Sequence, residues 1–597
     1  MRALDQNIAV SWSNAVRRYA ENTCTRYRKD GSWMSRTYAE VDEIVRHFAQ
    51  GLLHLGVDMG DRLALLSENR PCWAYTDLAC QSLGAVLVPI YSTNLAKDVG
   101  YIVKDSGARV LAVSNHFQLS KAMESKIVQR QIEHVIIFDP IPDLTDRDER
   151  VKSFWEVINL GKTIGGEDKL EARMQEIQPE DLATLIYTSG TTGDAKGAML
   201  THRNLLSNIA EAAALFRISY NDVTLSILPL SHSLERTAGH FTPLLSGATI
   251  AYADSIGALA ADLKEVQPTI LVGVPRVFEK LKARISEEAK QSSKARTILF
   301  ERALAAGEEA FKRRQKDEPV PLALEAQCRV FKALVFKPIH DSLGGNLRCM
   351  ISGGAPLALS VCQFFFNIGL PLYEGYGLTE TSPVVTVNHP GALRLGTVGK
   401  SIDGVEVRIA KDGEILVSGP NVMRGYWGHP QLTKGVIEDG WFHTGDIGQL
   451  DRDGFLKITD RKKDLIVTSN GKNVAPRHIE TILATNKFVA QACVVGDRRP
   501  FLTAVIVPEQ DEIFTWGAKR GQTYESFADM AASPAVRELF DKIVDDVNKR
   551  MASYQRIRGY ILSDVEFTQE NNLLTATQKV RRKEVDRRFS HELEHLY

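Results

Sequence analysis

The chain has 597 residues, 73 of them basic and 74 acidic, for a net charge of −1, with 44% hydrophobic and 25% charged residues. That is an ordinary soluble, globular composition, and the even charge balance offers no overall field to a polyanion, so a nucleic-acid partner is not expected. At about one domain per 150 residues the length allows roughly four units, which large α/β folds often merge. The seven cysteines, at 24, 72, 80, 328, 349, 362 and 493, form no CxxC pair, so a reducing, cytoplasmic setting without structural zinc is expected. The segment MRALDQNIAV meets Asp5 before an apolar run can form, and no secretory leader is expected. Apolar runs such as residues 83–91 fall short of the about 20 residues that span a bilayer, which confines any membrane contact to a peripheral one, at the inner face.

Residues 38–55 carry a helical pattern, and strand-like runs follow at 62–66, 85–89 and 110–113. Helices alternating with buried strands predict βαβ units and parallel sheet. The polar, glycine-bearing stretch 160–168 reads as a linker, after which a second such series runs from 182 to about 372. Within it Phe278, Leu281 and Ile285, then Leu299, Ala303, Ala306 and Ala310, fall at helical spacing amid dense charge. This predicts an exposed two-helix insertion over about 278–321, ended by Pro319 and Pro321. Turns at Asp412-Gly413 and Asp453-Gly454 predict two hairpins. The cluster Asp460-Arg461-Lys462-Lys463-Asp464, which alone could be a solvated turn, precedes a new α/β series at 474–507. A boundary there gives a large N-terminal domain, 1–462, of βαβ-type sheets with a β-rich subdomain, and a small α+β C-terminal domain, 463–597. The fold class is α/β.

Three segments carry chemistry. Thr188-Ser189-Gly190-Thr191-Thr192-Gly193-Asp194-Ala195-Lys196-Gly197 follows a strand-like run, and every position except Ala195 is glycine or bears a hydroxyl or a charge. Close-approaching donors and a mobile positive charge are what a polyphosphate requires, although the spacing is not that of a Walker A loop. Tyr373-Glu374-Gly375-Tyr376-Gly377-Leu378-Thr379-Glu380-Thr381 combines an aromatic face, glycines, hydroxyls and a carboxylate. Ser352-Gly353-Gly354-Ala355-Pro356 by itself reads as a tight turn.

The first loop resembles the signature loop of the adenylate-forming, or AMP-binding, superfamily: acyl-CoA synthetases, luciferases and the adenylation domains of peptide synthetases. The resemblance implies that Thr188, Ser189, Gly190, Thr191, Thr192, Gly193 and Lys196 bind the phosphates of ATP, with Thr188 also a Mg²⁺ ligand. It implies that Tyr376, beside Gly377, stacks on adenine, that Thr379 donates to the α-phosphate, and that Glu380 holds Mg²⁺. Gly353, Gly354 and Ala355 correspond to the loop lining the adenine pocket. Trp441-Phe442-His443-Thr444-Gly445-Asp446 is similar to the ribose segment, where Asp446 accepts from both hydroxyls; Arg461 is similar to the second ribose contact, and Lys463 falls at the hinge of a mobile C-terminal domain. Glu570-Asn571-Asn572-Leu573-Leu574-Thr575-Ala576-Thr577-Gln578-Lys579 resembles the catalytic-lysine segment, with Asn572 in place of the usual glycine and Ala576 in place of the usual proline. Asparagine tolerates left-handed backbone, so the turn can survive. The resemblance covers about residues 37–582.

Leu228-Pro229-Leu230-Ser231-His232-Ser233-Leu234-Glu235-Arg236-Thr237 sets an aromatic at His232 before an acid–base pair and a mostly apolar, helix-like run to Leu245. It is similar to the corresponding segment of long-chain acyl-CoA synthetases, as are the insertion at 278–321 and a second helical insert near 509–551. The function so implied is an AMP-forming long-chain fatty acid–CoA ligase acting through an acyl-adenylate, monomeric or homodimeric. His232, Thr379, Glu380 and Lys579 would be catalytic, ATP and Mg²⁺ the cofactors, and CoA the co-substrate. The rivals are an acyl-AMP ligase that delivers to a carrier protein and a non-catalytic nucleotide-binding regulator. Retention of Lys196, Glu380 and Lys579 disfavours the regulator.

Overall fold

The computed structural model describes residues 5–140, 148–188, 195–291, 293–462, 464–469, 472–575 and 579–597. One sheet has eight strands in the order Gly425–Tyr426, Lys196–Thr201, Leu182–Thr188, Val86–Ile90, Arg62–Leu66, Val110–Val113, His134–Ile137 and Val151–Ser153, parallel from Leu182–Thr188 onward. Its strands read as continuous apolar runs because both faces are covered: Leu63 and Leu65 enter one core, Ala64 and Leu66 another. The second sheet has nine strands, and its parallel centre includes Leu372–Gly377, Cys349–Ser352, Ile270–Gly273, Val223–Ser226 and Thr249–Tyr252. Both Asp-Gly turns close hairpins, joining Glu406–Ile409 to Glu414–Ser418 and Trp441–Leu450 to Leu456–Arg461.

Two expectations need correction. The stretch 160–168 is no linker: helix Phe154–Ile164 runs into it, and only Gly165 and Gly166 separate that helix from Glu167–Glu176. A capping box between Ser153 and Glu156 and the buried stripe Phe154, Val157, Ile158 and Gly161 outweigh the polar residues. The helices Pro275–Lys290 and Lys294–Gln315 are not freely exposed, since Phe278, Leu281, Ile285, Phe300, Ala303 and Ala306 pack into the second sheet's core. Nor does the helical path end at Pro321, which caps the next helix, Leu322–Phe331, where its missing N–H costs nothing. The helices Gln510–Ala518, Phe527–Ala532 and Pro534–Asn548 connect Leu502–Pro508 to Ile557–Leu562. Those strands pair in parallel, which takes a crossover of about a dozen residues or more, so the helical insert expected near 509–551 lies within the crossover of the C-terminal three-stranded sheet.

Between the two large sheets lies a wholly buried ionic cluster. Arg236 donates to both carboxylate oxygens of Asp77, at 2.8 and 2.6 Å, and to the Thr184 hydroxyl at 2.6 Å, while Gln81 donates to Asp77 at 2.9 Å. Arg236 and Glu235 are sequence neighbours but not a pair, because successive helical side chains diverge. Glu235 instead accepts from the Ser226 hydroxyl at 2.7 Å, and burial raises its carboxyl to about 8. Removing one partner of a buried ion pair strands the other charge, at about 3–5 kcal/mol, whereas an apolar replacement of both is often tolerated. Arg236→Met should therefore destabilise the large sheets by about that amount, and Arg236→Met with Asp77→Leu should recover most of the loss, as read by urea denaturation followed through tryptophan fluorescence.

Candidate active site

Residues at the carboxyl ends of Leu182–Thr188, Cys349–Ser352 and Leu372–Gly377 line a single cleft of about 2350 Å³, the place where open α/β sheets bind ligands. Thr188 and Lys196 face each other across adjacent antiparallel strands at the base of the hydroxyl-rich loop; Ser189, Gly190, Thr191, Thr192 and Gly193 lie outside the described residues, as do Lys463 and Ala576. Gly353, Gly354 and Ala355 border the cleft. Gly354 has φ +79°, a conformation that favours glycine, and a Cβ on Gly377 would stand 1.7 Å from the Pro383 carbonyl oxygen. The two glycines thus keep this wall of the cleft thin.

Tyr376 and Asp446 meet directly. The Tyr376 hydroxyl donates to Asp446 Oδ2 at 2.7 Å and Arg461 Nε donates to Oδ1 at 2.9 Å, Arg461 being the cross-strand partner of Asp446 in its hairpin. Thr379 shares a hydrogen bond with the Ser233 hydroxyl at 3.2 Å. Glu380 Oε1 accepts from the Tyr426 hydroxyl at 2.8 Å, and Lys196 Nζ lies 5.4 Å from the centre of the same ring. Tyr426, unnoticed in the sequence, therefore joins the lysine of one motif to the glutamate of another. An aromatic beside Gly425 was the visible signal, but its strand pairs with Ala198 and Met199, more than 200 residues away.

Lys579 reaches this cleft from the C-terminal unit. Its loop is closed by a bridge between Leu574 and Val580 and by Arg581 donating to the Asn572 side chain at 2.7 Å, with Asn572 at φ +63°. The asparagine takes the left-handed geometry that the substitution for glycine demanded. Lys579 is open to water within the cleft, yet crowding by protein, then the charges of Arg461 and Arg477, lower its ammonium to about 8. His232 lies within its field: burial, then Lys579, lower the imidazole to about 4. His232 Nδ1 accepts the Leu234 N–H at 3.1 Å, so the neutral ring carries its proton on Nε2. A second part of the cleft is apolar, lined by Ala212, Leu215, Phe216, Ile218, Ala238 and Ile270. Arg276, on Pro275–Lys290, donates to Glu509 of the C-terminal unit at 3.0 Å.

The sequence model of the AMP-binding enzymes matches residues 12–427, and that of the AMP-binding enzyme C-terminal domain matches residues 463–597. A long-chain-fatty-acid–CoA ligase of Mycobacterium tuberculosis, FadD15, is 38% identical over 573 residues, covering 95% of this chain and 93% of its own length. Long-chain-fatty-acid–CoA ligase 5 of Rattus norvegicus is 31% identical over 606 residues, covering 96% and 86%. Among solved structures, the O-succinylbenzoate coenzyme A synthetase of Bacillus subtilis in complex with ATP and magnesium ion shares the fold, with a TM-score of 0.67 at 22% identity over 97% of this chain and 99% of that one. With the motif residues gathered in one cleft and both parts of the chain matched, the chain belongs to the family of AMP-binding, adenylate-forming enzymes.

Proposed function

We propose that this protein is an AMP-forming long-chain fatty acid–CoA ligase. The observation that carries the proposal is the arrival of Lys579, on a separate unit, in the cleft that holds Thr379, Glu380 and Asp446 beside an apolar arm. In the first step a carboxylate oxygen attacks the α-phosphorus of ATP, giving acyl-adenylate and pyrophosphate. In the second the CoA thiol attacks the acyl carbon, giving thioester, AMP and a proton.

In this reading Tyr376, pinned through its hydroxyl, is the wall on which adenine stacks, and Asp446 keeps lone pairs for the ribose hydroxyls while Arg461 orients it. Thr379, aligned by Ser233, donates to the α-phosphate. Lys196, with Thr188 and the loop 189–193, neutralises the phosphates, and Gly353, Gly354 and Ala355 border the adenine. The neutral His232 donates from Nε2 to the incoming carboxylate; with Nδ1 already accepting, it positions the substrate and takes no proton. Glu380 and Thr188 would supply hard-oxygen donors that suit Mg²⁺, an ion held by one or two carboxylates together with substrate phosphates. When bound, Mg²⁺ supplies Lewis-acid neutralisation of phosphate charge. The domain boundary is proposed at 462/463, with Lys463 as the hinge about which the C-terminal unit turns between the two steps; concentrating such rotation in a few residues is the usual form of hinge motion.

The experiment that tests the function is pyrophosphate release over a fatty-acid ladder, with and without CoA. Turnover should be greatest at about C12–C18 and fall steeply below roughly C8, since each methylene withdrawn from an apolar arm forfeits about 0.8 kcal/mol. Ala238→Phe, which fills that arm, should shift the preference to shorter acids. Free acyl-adenylate turning over equally without CoA would favour a carrier-protein acceptor, and no turnover with any acid would favour a nucleotide-binding regulator.

Lys579→Ala should slow adenylation by about 10²–10³ while sparing thioester formation from supplied acyl-adenylate, because the charge is needed only while negative charge builds at the α-phosphate. The ammonium is charged below about 8 and neutral above it. The kcat/KM for ATP should consequently fall as pH rises through about 8, and Lys579→Arg should extend the plateau upward, both read from pH–rate profiles. Glu380→Gln should weaken Mg²⁺-dependent turnover more than metal-free nucleotide binding, as separated by Mg²⁺ titration of activity and by calorimetry in chelator.

A further inference from the structure

The helix Leu322–Phe331 and the wide π-helical turn Lys332–Phe336 run antiparallel to Lys294–Gln315, with the Cys328 thiol against the Ala306 carbonyl at 3.6 Å. Their inner face is anchored, Phe331 and Phe336 being buried in the second core with Leu324, Cys328 and Val335 packed beside them. The outer face is apolar as well. Leu322, Ala326, Val330 and Leu334 recur every four residues, and Leu322, Leu334 and Val330 are 84%, 68% and 53% exposed. A four-residue repeat drifts by about 40° per step around an α-helix, and the wider π turn offsets that drift, which keeps Leu334 on the strip. Exposed Ile298 and Leu299 extend it from the antiparallel neighbour. An apolar stripe on a helix is ordinarily buried against another element; among the described residues nothing covers this outer one.

Charge indicates what does. Residues 293–337 hold ten lysines and arginines against six acids, a net +4 in a chain whose total is −1. On the strip's own segment Arg329 and Lys332 are exposed and have no ion-pair partner among the described residues, Lys337 pairs with Asp341 at 2.7 Å, and Glu325 is half-buried. Leucine and valine edged by uncompensated basic side chains match the acyl boundary beneath anionic headgroups. A second copy would bring a like-charged strip against it. Among the described residues no helix is long and apolar enough to cross a membrane, so the contact is peripheral. We propose that the strip at residues 322–337 docks this protein on the surface of an anionic lipid bilayer. The docking stands apart from the ligase reading, though it would bring such an enzyme to the phase in which long fatty acids reside.

Flotation of the full chain, without ATP or fatty acid, on phosphatidylcholine vesicles with and without about 30 mol% phosphatidylglycerol tests the assignment. The chain should float with the anionic vesicles and bind about tenfold or more weakly to phosphatidylcholine alone, or when about 0.5 M salt screens the charges. The double variant Val330→Glu, Leu334→Glu should lose the binding about tenfold while keeping the parent's thermal unfolding midpoint and its turnover of a soluble, vesicle-free acid. Failure of the parent to float with the anionic vesicles overturns the proposal, as does a variant that floats like the parent. A parent that sediments as a dimer and a variant that sediments as a monomer would assign the strip to a second copy instead.

Discussion

Asp77 and Arg236 meet at 2.6 Å with neither side chain reachable by solvent, and an ion pair so placed tolerates no independent movement of its ends, because exposing either charge to an apolar interior costs several kcal/mol. Asp77 belongs to helix Pro71–Leu83 beside the eight-stranded sheet, and Thr184, the third partner, to one of that sheet's own strands. Arg236 sits in the turn Glu235–Phe241, which leaves the nine-stranded sheet. The pair therefore fixes one sheet against the other. His232 and Ser233 lie just before Arg236, and Thr188 lies four residues after Thr184 on the same strand, so the groups proposed to hold the carboxylate and the phosphates are referred to the same buried charge. Within the π-helical segment Glu235–Phe241, Arg236 faces Asp77 while Ala238, two residues on, lines the cleft.

The C-terminal unit is attached in a different manner. Its own sheet is buried on both sides, Leu502, Ala504 and Ile506 entering one core and Val505 and Val507 another. Arg276 and Glu509 form an ion pair between it and the large sheets, each side chain about a third exposed, and pairs near the surface contribute about 0–1 kcal/mol. Internal cohesion of this kind, beside such a contact, is what the rotation proposed above would require. The lysine it carries is held in shape by its own loop, through Asn572, Arg581 and the Leu574–Val580 bridge. The geometry around Lys579 can thus survive motion of the whole unit.

Much of this was legible in the chain, for reasons that are local. The strands at 62–66 and 110–113 keep the bounds their apolar runs suggest, both Asp-Gly turns close hairpins, and the Asn572 turn adopts the left-handed backbone. What local pattern could not convey was pairing across long separations. Glu235 and Arg236 look like an acid–base pair until Asp77 and Ser226 enter; Tyr426 is unremarkable until its strand is laid beside Lys196–Thr201. The 160–168 stretch misled because its capping box and buried stripe begin upstream of the polar residues. Nothing in the sequence of the helices after Leu502–Pro508 says that the next strand returns in parallel.

Desolvation also sorts the cleft by polarity. Burial moves some titratable groups lining the cleft toward their uncharged forms: Glu374 up to about 7 and His232 down to about 4. On the nucleotide side desolvation acts too, lowering Lys579 to about 8, but Asp446 is partnered by Arg461 and Tyr376 and Glu380 by Tyr426, and Lys196 stands in the same space. An amphipathic acid entering such a cleft has one favourable orientation. Its carboxylate finds a donor at His232 and cations only toward the nucleotide end, and a charge left unpaired among Leu215, Phe216 and Ile270 would cost several kcal/mol. Each methylene at the other end adds about 0.8 kcal/mol to the same preference. For the proposed substrate, the direction of binding is then set less by any single recognition residue than by the refusal of the apolar arm to accept a charge.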